Sequence, residues 1–172
     1  MMNDLFYYKL ELDVKDPIHA TKGSACFDLH SFLIEDSLVK IYLNQSDIGY
    51  EIRERNVHKG RVQVNPTERV LIPTGLIFDI PEGHSLRLYP RSSLALKQGI
   101  TLANNVGIID SDYVEPVYMM VCNISGDTKY VNNGERICQA ELVKVQPVNM
   151  REIIEQPGQK TARDGGFGST GK

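Results

Sequence analysis

No closely spaced pair of cysteines occurs in this chain: Cys26, Cys122 and Cys138 stand far apart inside apolar stretches. Structural zinc sites usually carry close pairs such as CxxC, and none is present, so the expectation is buried free thiols in a reducing cytoplasm. Basic residues are not in excess either. Nineteen Lys and Arg against 22 Asp and Glu leave a formal net charge of −3, which excludes a broad nucleic-acid-binding face. Any phosphate must be met by a local site. No uncharged run approaches the length of a membrane span. Met1-Met2-Asn3-Asp4-Leu5 lacks the basic stretch and apolar core of a secretory leader. The expected location is therefore the cytoplasm, with no nucleic-acid partner and no membrane partner. Fourteen glycines and eight prolines are too few for collagen or wholesale disorder. His19, His30, His58 and His84 share no ligand spacing and read as surface or loop residues. No Ser/His/Asp arrangement and no internal repeat is legible.

What is present is one domain's worth of chain. At ~150 residues per domain, 172 residues make a single unit with a little to spare. Such a chain buries roughly 70% of its unfolded surface and needs no disulfide or metal to fold. The dominant local pattern is β. Tyr7–Val14 alternates loosely, with Leu10, Leu12 and Val14 on one face, and Val39, Ile41 and Leu43 recur at period two. Val70–Ile80 is broken by Pro73-Thr74-Gly75; Ser85–Tyr89, Val117–Ile124 and Ile137–Val145 complete a set of short strands. Strands at this spacing predict an all-β sandwich or barrel. One short helix is predicted, capped by Ser92-Ser93, running through Leu94–Gln98 and ended by Gly99. Asn44–Pro66 is polar and reads as a long surface excursion, with a hairpin through Tyr50–Ile52 and Arg61–Val64. Pro157–Lys172 has almost no apolar content and cannot order itself alone.

Several short segments could carry chemistry. Gly166–Lys172 matches part of a P-loop, but no Ser or Thr follows the lysine, and no helix or preceding strand is available, so that reading fails. A glycine-rich arm remains, with one aromatic, Phe167, suited to stacking on a flat ligand. Pro90-Arg91-Ser92-Ser93 offers a guanidinium and two hydroxyls at a helix start, a cradle for phosphate or simply a serine cap. Asn104–Tyr113 places Asp110 and Asp112 after an apolar run, as a general base on water or as an acidic turn. Asp28 is an acid among apolar residues, for metal-bound water or for a backbone-bonding turn.

Taken in order, these segments resemble the trimeric dUTP pyrophosphatases (dUTPases), with counterparts of five ordered motifs. They are Ala25–Leu29; Pro90–Ala95 continued by Lys97–Ile100; Asn104–Tyr113; Gly134–Gln139; and Arg163 with Gly165–Gly171. Pro73-Thr74-Gly75-Leu76 also fits the family framework, and the match runs from about Ala20 to the end. The resemblance implies a distorted jelly-roll or β-clip barrel with one short helix, a homotrimer, and a flexible C-terminal arm. It divides the chain into a core, 1–156, and a glycine-rich arm, 157–172. It also implies Mg²⁺-dependent cleavage of dUTP to dUMP and pyrophosphate, lowering dUTP and supplying dUMP for thymidylate synthesis.

The resemblance assigns roles residue by residue. Asp110 is the base that activates water for attack on the α-phosphorus. Tyr113 packs under the deoxyribose, and Asn104 with neighbouring backbone, Gly107 and Ile109, reads the uracil. Arg91, Ser92, Ser93 and Gln139 hold the phosphate chain, and Asp28 orients water on the magnesium. Phe167 stacks on uracil, while Arg163, Gly168, Ser169 and Thr170 close over the phosphates. The sequence departs from the family at Cys26 and Glu115, where glycine is usual, and at Arg163-Asp164-Gly165, which is one residue short. An insertion at 44–66 lengthens the chain between the first two motifs by roughly two dozen residues, beyond a typical connection. It reads as an elaborated surface hairpin, with a protein-partner surface as the alternative. A dCTP deaminase of the same fold and a non-enzymatic nucleotide-binding protein are the competing functions; the Asp110-Ser111-Asp112-Tyr113 core favours the pyrophosphatase.

Overall fold

The computed structural model describes residues 4–45 and 49–162. Thirteen strands and one helix follow in order: β1 (Phe6–Lys9), β2 (Phe27–His30), β3 (Leu38–Gln45), β4 (Gly49–Asn56), β5 (Arg61–Val64), β6 (Arg69–Pro73), β7 (Leu76–Asp79), β8 (His84–Pro90), α1 (Ser92–Gln98), β9 (Ile100–Leu102), β10 (Gly107–Asp110), β11 (Tyr118–Asn123), β12 (Lys129–Asn132) and β13 (Arg136–Lys144). All pairings between them are antiparallel. Two sheets carry the architecture, one ordered β10-β8-β13-β2 and the other β4-β3-β6-β11-β9; β1-β7 and β12-β5 are small pairs. This is the expected jelly-roll class, but the sheets stay separate and do not close into a barrel among the described residues.

The core sits between the sheets because the period-two positions point there. Val39 and Ile41 of β3, Val70 and Ile72 of β6, Met119 and Val121 of β11, and Leu86 and Leu88 of β8 are all buried. Alternate residues of β3, β6 and β11 face outward, as half-buried strands require. The Pro73-Thr74-Gly75 break separates β6 from β7. Gly75 has φ +70°, and a Cβ there would lie 2.6 Å from Val14 Cγ2, so glycine is required.

Four expectations are corrected. The first strand is short: residues beyond Lys9 turn away, leaving Leu12 99% exposed while Val14 alone is buried. The helix is not capped by Ser92 or Ser93. Arg91 occupies the N-cap with φ −88° and ψ 125° and makes no side-chain cap bond, whereas Gly99 ends the helix in the left-handed region as expected. Cys26 and Cys122 are only half-buried, and Cys138 alone is fully buried. His30 lies on β2 with a buried, unpartnered Nδ1 rather than in a loop.

The 44–66 segment departs most from expectation. The hairpin between residues 50–52 and 61–64 does not form: β4 pairs with β3, and β5 pairs with β12. Val57, Val62 and Val64 are completely buried. Arg55 of β4 makes two bonds to buried Glu68, at 2.7 and 2.9 Å. Glu68 also accepts from the Asn65 N–H at 2.8 Å. Among its described residues, β4 is largely surface, while Val57, Val62 and Val64 join the core.

Candidate active site

Three strands converge on one polar hollow of about 420 Å³. Asp28 of β2 faces Gln139 of β13, which in turn faces Tyr89 of β8. Strand β8 ends at Pro90, and the extended conformation of Arg91 starts α1 at Ser92. Side chains directly opposite in a ladder share a face, so Asp28 and Gln139 point the same way. Arg91, Ser92 and Ser93 close the hollow from the strand-to-helix turn. Arg91 Nε lies 3.2 Å from Asp28 Oδ1, Arg136 Nη1 donates to Asp28 Oδ2 at 3.0 Å, and Gln139 Nε2 donates to the Pro90 carbonyl at 3.2 Å. The cluster therefore has two guanidiniums against one carboxylate, with exposed serine hydroxyls at the rim, a set that suits an anion. A hollow of about 440 Å³ elsewhere is lined largely by apolar side chains such as Leu10, Phe32, Leu38 and Leu71, and it holds none of the expected site residues.

Cys26 lines this hollow and Cys138 lies buried in the core. Burial, then the carboxylates of Glu141 and Asp28, pushes the Cys26 thiol up. Burial, with Asp28 adding to it, pushes the Cys138 thiol far up. Both stay protonated at neutral pH. Among the described residues, no three His, Cys, Asp or Glu side chains converge as a metal cage. Among the described residues, Asp28 is the only carboxylate lining the hollow. A single hard oxygen donor fits a cation that keeps its waters or takes ligand oxygens, and does not fit a protein-caged metal.

The remaining expected residues form a second group. Gly107, Ile109 and Asp110 belong to β10, and Asn104 precedes it. Gly107 is buried where a Cβ would meet Leu88 Cβ at 3.2 Å and Asn104 Nδ2 at 3.4 Å, so the backbone lies close under the Asn104 amide. Beyond β10 the chain turns: the Tyr113 N–H donates to the Asp110 carbonyl at 3.1 Å, and the Tyr113 hydroxyl to the Pro116 carbonyl at 3.1 Å. Asp110 is exposed at the strand end.

The two groups do not meet within one chain. Asp110 pairs with Ser85 in β8, while Asp28 reaches β8 through Gln139 at Tyr89. Three strand spacings of ~4.8 Å and four residues of ~3.3 Å along β8 separate Asp28 from Asp110 by roughly 20 Å. The parity of the register leaves both on the same face of the sheet. Arg163, Phe167, Gly168, Ser169 and Thr170 lie outside the described residues. Arg136 was not singled out by its sequence position, and only the cross-strand register brings it to Asp28.

A family model described as dUTPase matches residues 42–171. The deoxyuridine 5'-triphosphate nucleotidohydrolase of Hydrogenobaculum sp. is 35% identical over 167 residues, 97% of either chain. That of Nautilia profundicola is 39% identical over 166 residues, 95% of this chain and 96% of its own. The dUTPase of Staphylococcus bacteriophage 80alpha with dUPNHPP superposes at a TM-score of 0.75 over 99% of this chain and 100% of that one, at 19% identity. The dUTPase of Streptococcus mutans gives a TM-score of 0.62 over 84% of this chain and 98% of that one, at 23% identity. At these identities the structural likeness speaks for the fold.

Proposed function

The chain belongs to the dUTPase family, and from that premise we propose that it hydrolyses dUTP to dUMP and pyrophosphate at sites shared between copies of a homotrimer. The roughly 20 Å between Asp28 and Asp110 carries this reading. A general base acts within hydrogen-bond reach of the water it activates. Asp110 of one copy cannot serve the phosphate hollow of the same copy, but a neighbour's Asp110 can, because Asp28 and Asp110 face the same side of the sheet. The proposed division of labour follows. Arg91, Ser92, Ser93 and Gln139 of one copy hold the phosphate chain; Asn104, Gly107, Ile109 and Tyr113 of the next receive uracil and deoxyribose; Asp110 takes the proton of the attacking water.

Phosphoryl chemistry of this kind is mostly positioning and charge stabilisation. Arg91, held against Asp28, supplies fixed positive charge where the leaving pyrophosphate gains negative charge. Mg²⁺, held mainly by the substrate phosphates with Asp28 reaching it through water, would neutralise charge on the phosphate chain. Discrimination against cytosine follows from hydrogen-bonding groups at Asn104 left mismatched by the wrong base edge. We propose residues 157–172 as an arm that closes over the site and excludes water, with Arg163, Phe167, Gly168, Ser169 and Thr170 as its contacts. The biological consequence is a lowered dUTP level and a supply of dUMP for thymidylate synthesis.

The decisive experiment measures pyrophosphate release from dUTP, UTP, dCTP and dTTP with Mg²⁺, and ammonia release from dCTP. Turnover confined to dUTP is expected. Comparable turnover of UTP, or none of dUTP, overturns the reading, and ammonia from dCTP moves the function to deamination.

A further inference from the structure

The strand that brings Gln139 to the phosphate hollow is irregular at one point, and the irregularity aims an arginine. Gln139 faces Asp28 and Cys138 faces Leu29, but it is Arg136, not Ile137, that faces His30. Ile137 is the extra residue of a β-bulge. Side chains alternate along a strand, so a regular β13 would set Ile137 on the face of Gln139 and turn Arg136 into the core. The bulge reverses this. Ile137 and Cys138 are buried in succession, at 3% and 0% exposure, and Arg136 arrives beside Asp28. Its Nη1 donates to Asp28 Oδ2 at 3.0 Å, while Arg91 Nε takes the other oxygen, Oδ1, at 3.2 Å. The Arg136 side chain is 50% exposed and that of Asp28 only 11%. The outer guanidinium clamps a nearly buried carboxylate from the solvent side.

We propose that Arg136 is a positioning residue of the phosphate-handling half-site and acts through Asp28. With a guanidinium on each oxygen, the carboxylate keeps one orientation, and the cluster still carries one net positive charge toward a polyphosphate. This inference rests on the dUTP reading and adds a residue that reading does not use. The geometry also separates the role from simple scaffolding. The Arg136 carbonyl accepts from Arg91 Nη1 at 3.1 Å, and that bond survives any side-chain substitution. Arg136→Gln therefore removes the hold on Asp28 while leaving the Arg91 anchor, and an exposed side chain leaves no cavity when shortened.

The test is a double-mutant cycle on the full-length protein, using Arg136→Gln, Asp28→Asn and the pair. It has two readouts, dUTP hydrolysis and calorimetric binding of pyrophosphate. Arg136→Gln is expected to lower kcat/KM and pyrophosphate affinity by roughly tenfold, with an unchanged melting temperature. In the Asp28→Asn background it should cost less than about twofold, because the group it positions is gone. Full additivity overturns the proposal, since Arg136 then acts independently of Asp28. A wild-type-like Arg136→Gln overturns it and leaves the dUTP reading standing; a wild-type protein inactive on dUTP overturns both. If Arg136→Gln fails to fold, Arg136→Lys decides. It keeps the charge, loses the planar fork, and should fall by about threefold; wild-type kcat/KM in the lysine variant overturns the proposal.

Discussion

Asp110 stands at the end of β10 with its side chain in solvent, so it contributes little to folding and can be changed cleanly. Asp110→Asn should cut kcat by about 10²–10⁴-fold, the usual worth of a positioned base, while the melting curve stays in place. Unchanged turnover removes Asp110 from its role. Glu68 is the opposite kind of acid. Burial opposes its charge, but Arg55 and the Asn65 hydrogen bonds outweigh burial and hold its carboxyl below the ordinary glutamate range. With the folded value depressed, its stabilisation is fully present above the unfolded value of ~4.3. It is lost as pH falls through the lower folded value. Glu68→Gln should therefore cost about 2–3 kcal/mol at pH 7, and the gap from wild type should shrink in acid. Urea unfolding at pH 7 and in mild acid checks this; an equal gap at both would refute it. At this scale the sequence was uneven as a guide. The Asp110–Tyr113 turn was legible because the segment is contiguous in the chain. Arg136 was not, because its direction depends on a bulge that only the pairing with β2 defines.

Between residue and molecule, the 44–66 segment is the instructive element. Its polar composition predicts a surface excursion with a hairpin through residues 50–52 and 61–64. Three valines at its inner end fill the core, and Arg55 reaches inward to Glu68. Val62→Ala should cost about 1–3 kcal/mol for the buried methyl groups, whereas Ile52→Lys on the outward face of β4 should stay within about 0.5 kcal/mol. Denaturant midpoints of the two variants decide; equal effects would mean the segment is not divided as described. Removal of the whole segment is expected to unfold the protein, so a partner role must be probed by surface changes on β4 alone. Strand β3 was legible from its period of two, Val39 and Ile41 being buried, because burial on one face writes that period into the sequence. The pairing of β4 with β3, and of β5 with β12, was not, since partner choice across long separations leaves no local mark. Gly99 was legible for the converse reason: a left-handed cap is a one-residue requirement. Gly99→Ala should destabilise by about 1–2 kcal/mol, as a Cβ would stand 2.8 Å from Ser125 Cβ.

Across the whole molecule, Asp28 and Asp110 face one side of the sheet but stand roughly 20 Å apart. Copies carrying Asp110→Asn and copies carrying Arg91→Ala should each be inactive alone. Co-refolded in equal amounts, they should regain about one quarter of wild-type activity, the share of interfaces that pair an intact base with an intact phosphate hollow. No recovery would place both half-sites in a single copy. The fold class and the motif order were legible at this scale. The separation was not, because it follows from strand order, β10 at one edge of the sheet and β2 at the other.

On the proposed shared-site reading, that strand order makes the folding unit smaller than the working unit. A lone copy would bury its own core and still possess only unmatched halves of a reaction centre. Specific activity should therefore fall on dilution, following the assembly equilibrium, at concentrations where circular dichroism still shows folded strands. The abundance of the protein would then act as a threshold on its own output: scarce copies are folded bystanders, and turnover begins when neighbours become common enough to meet.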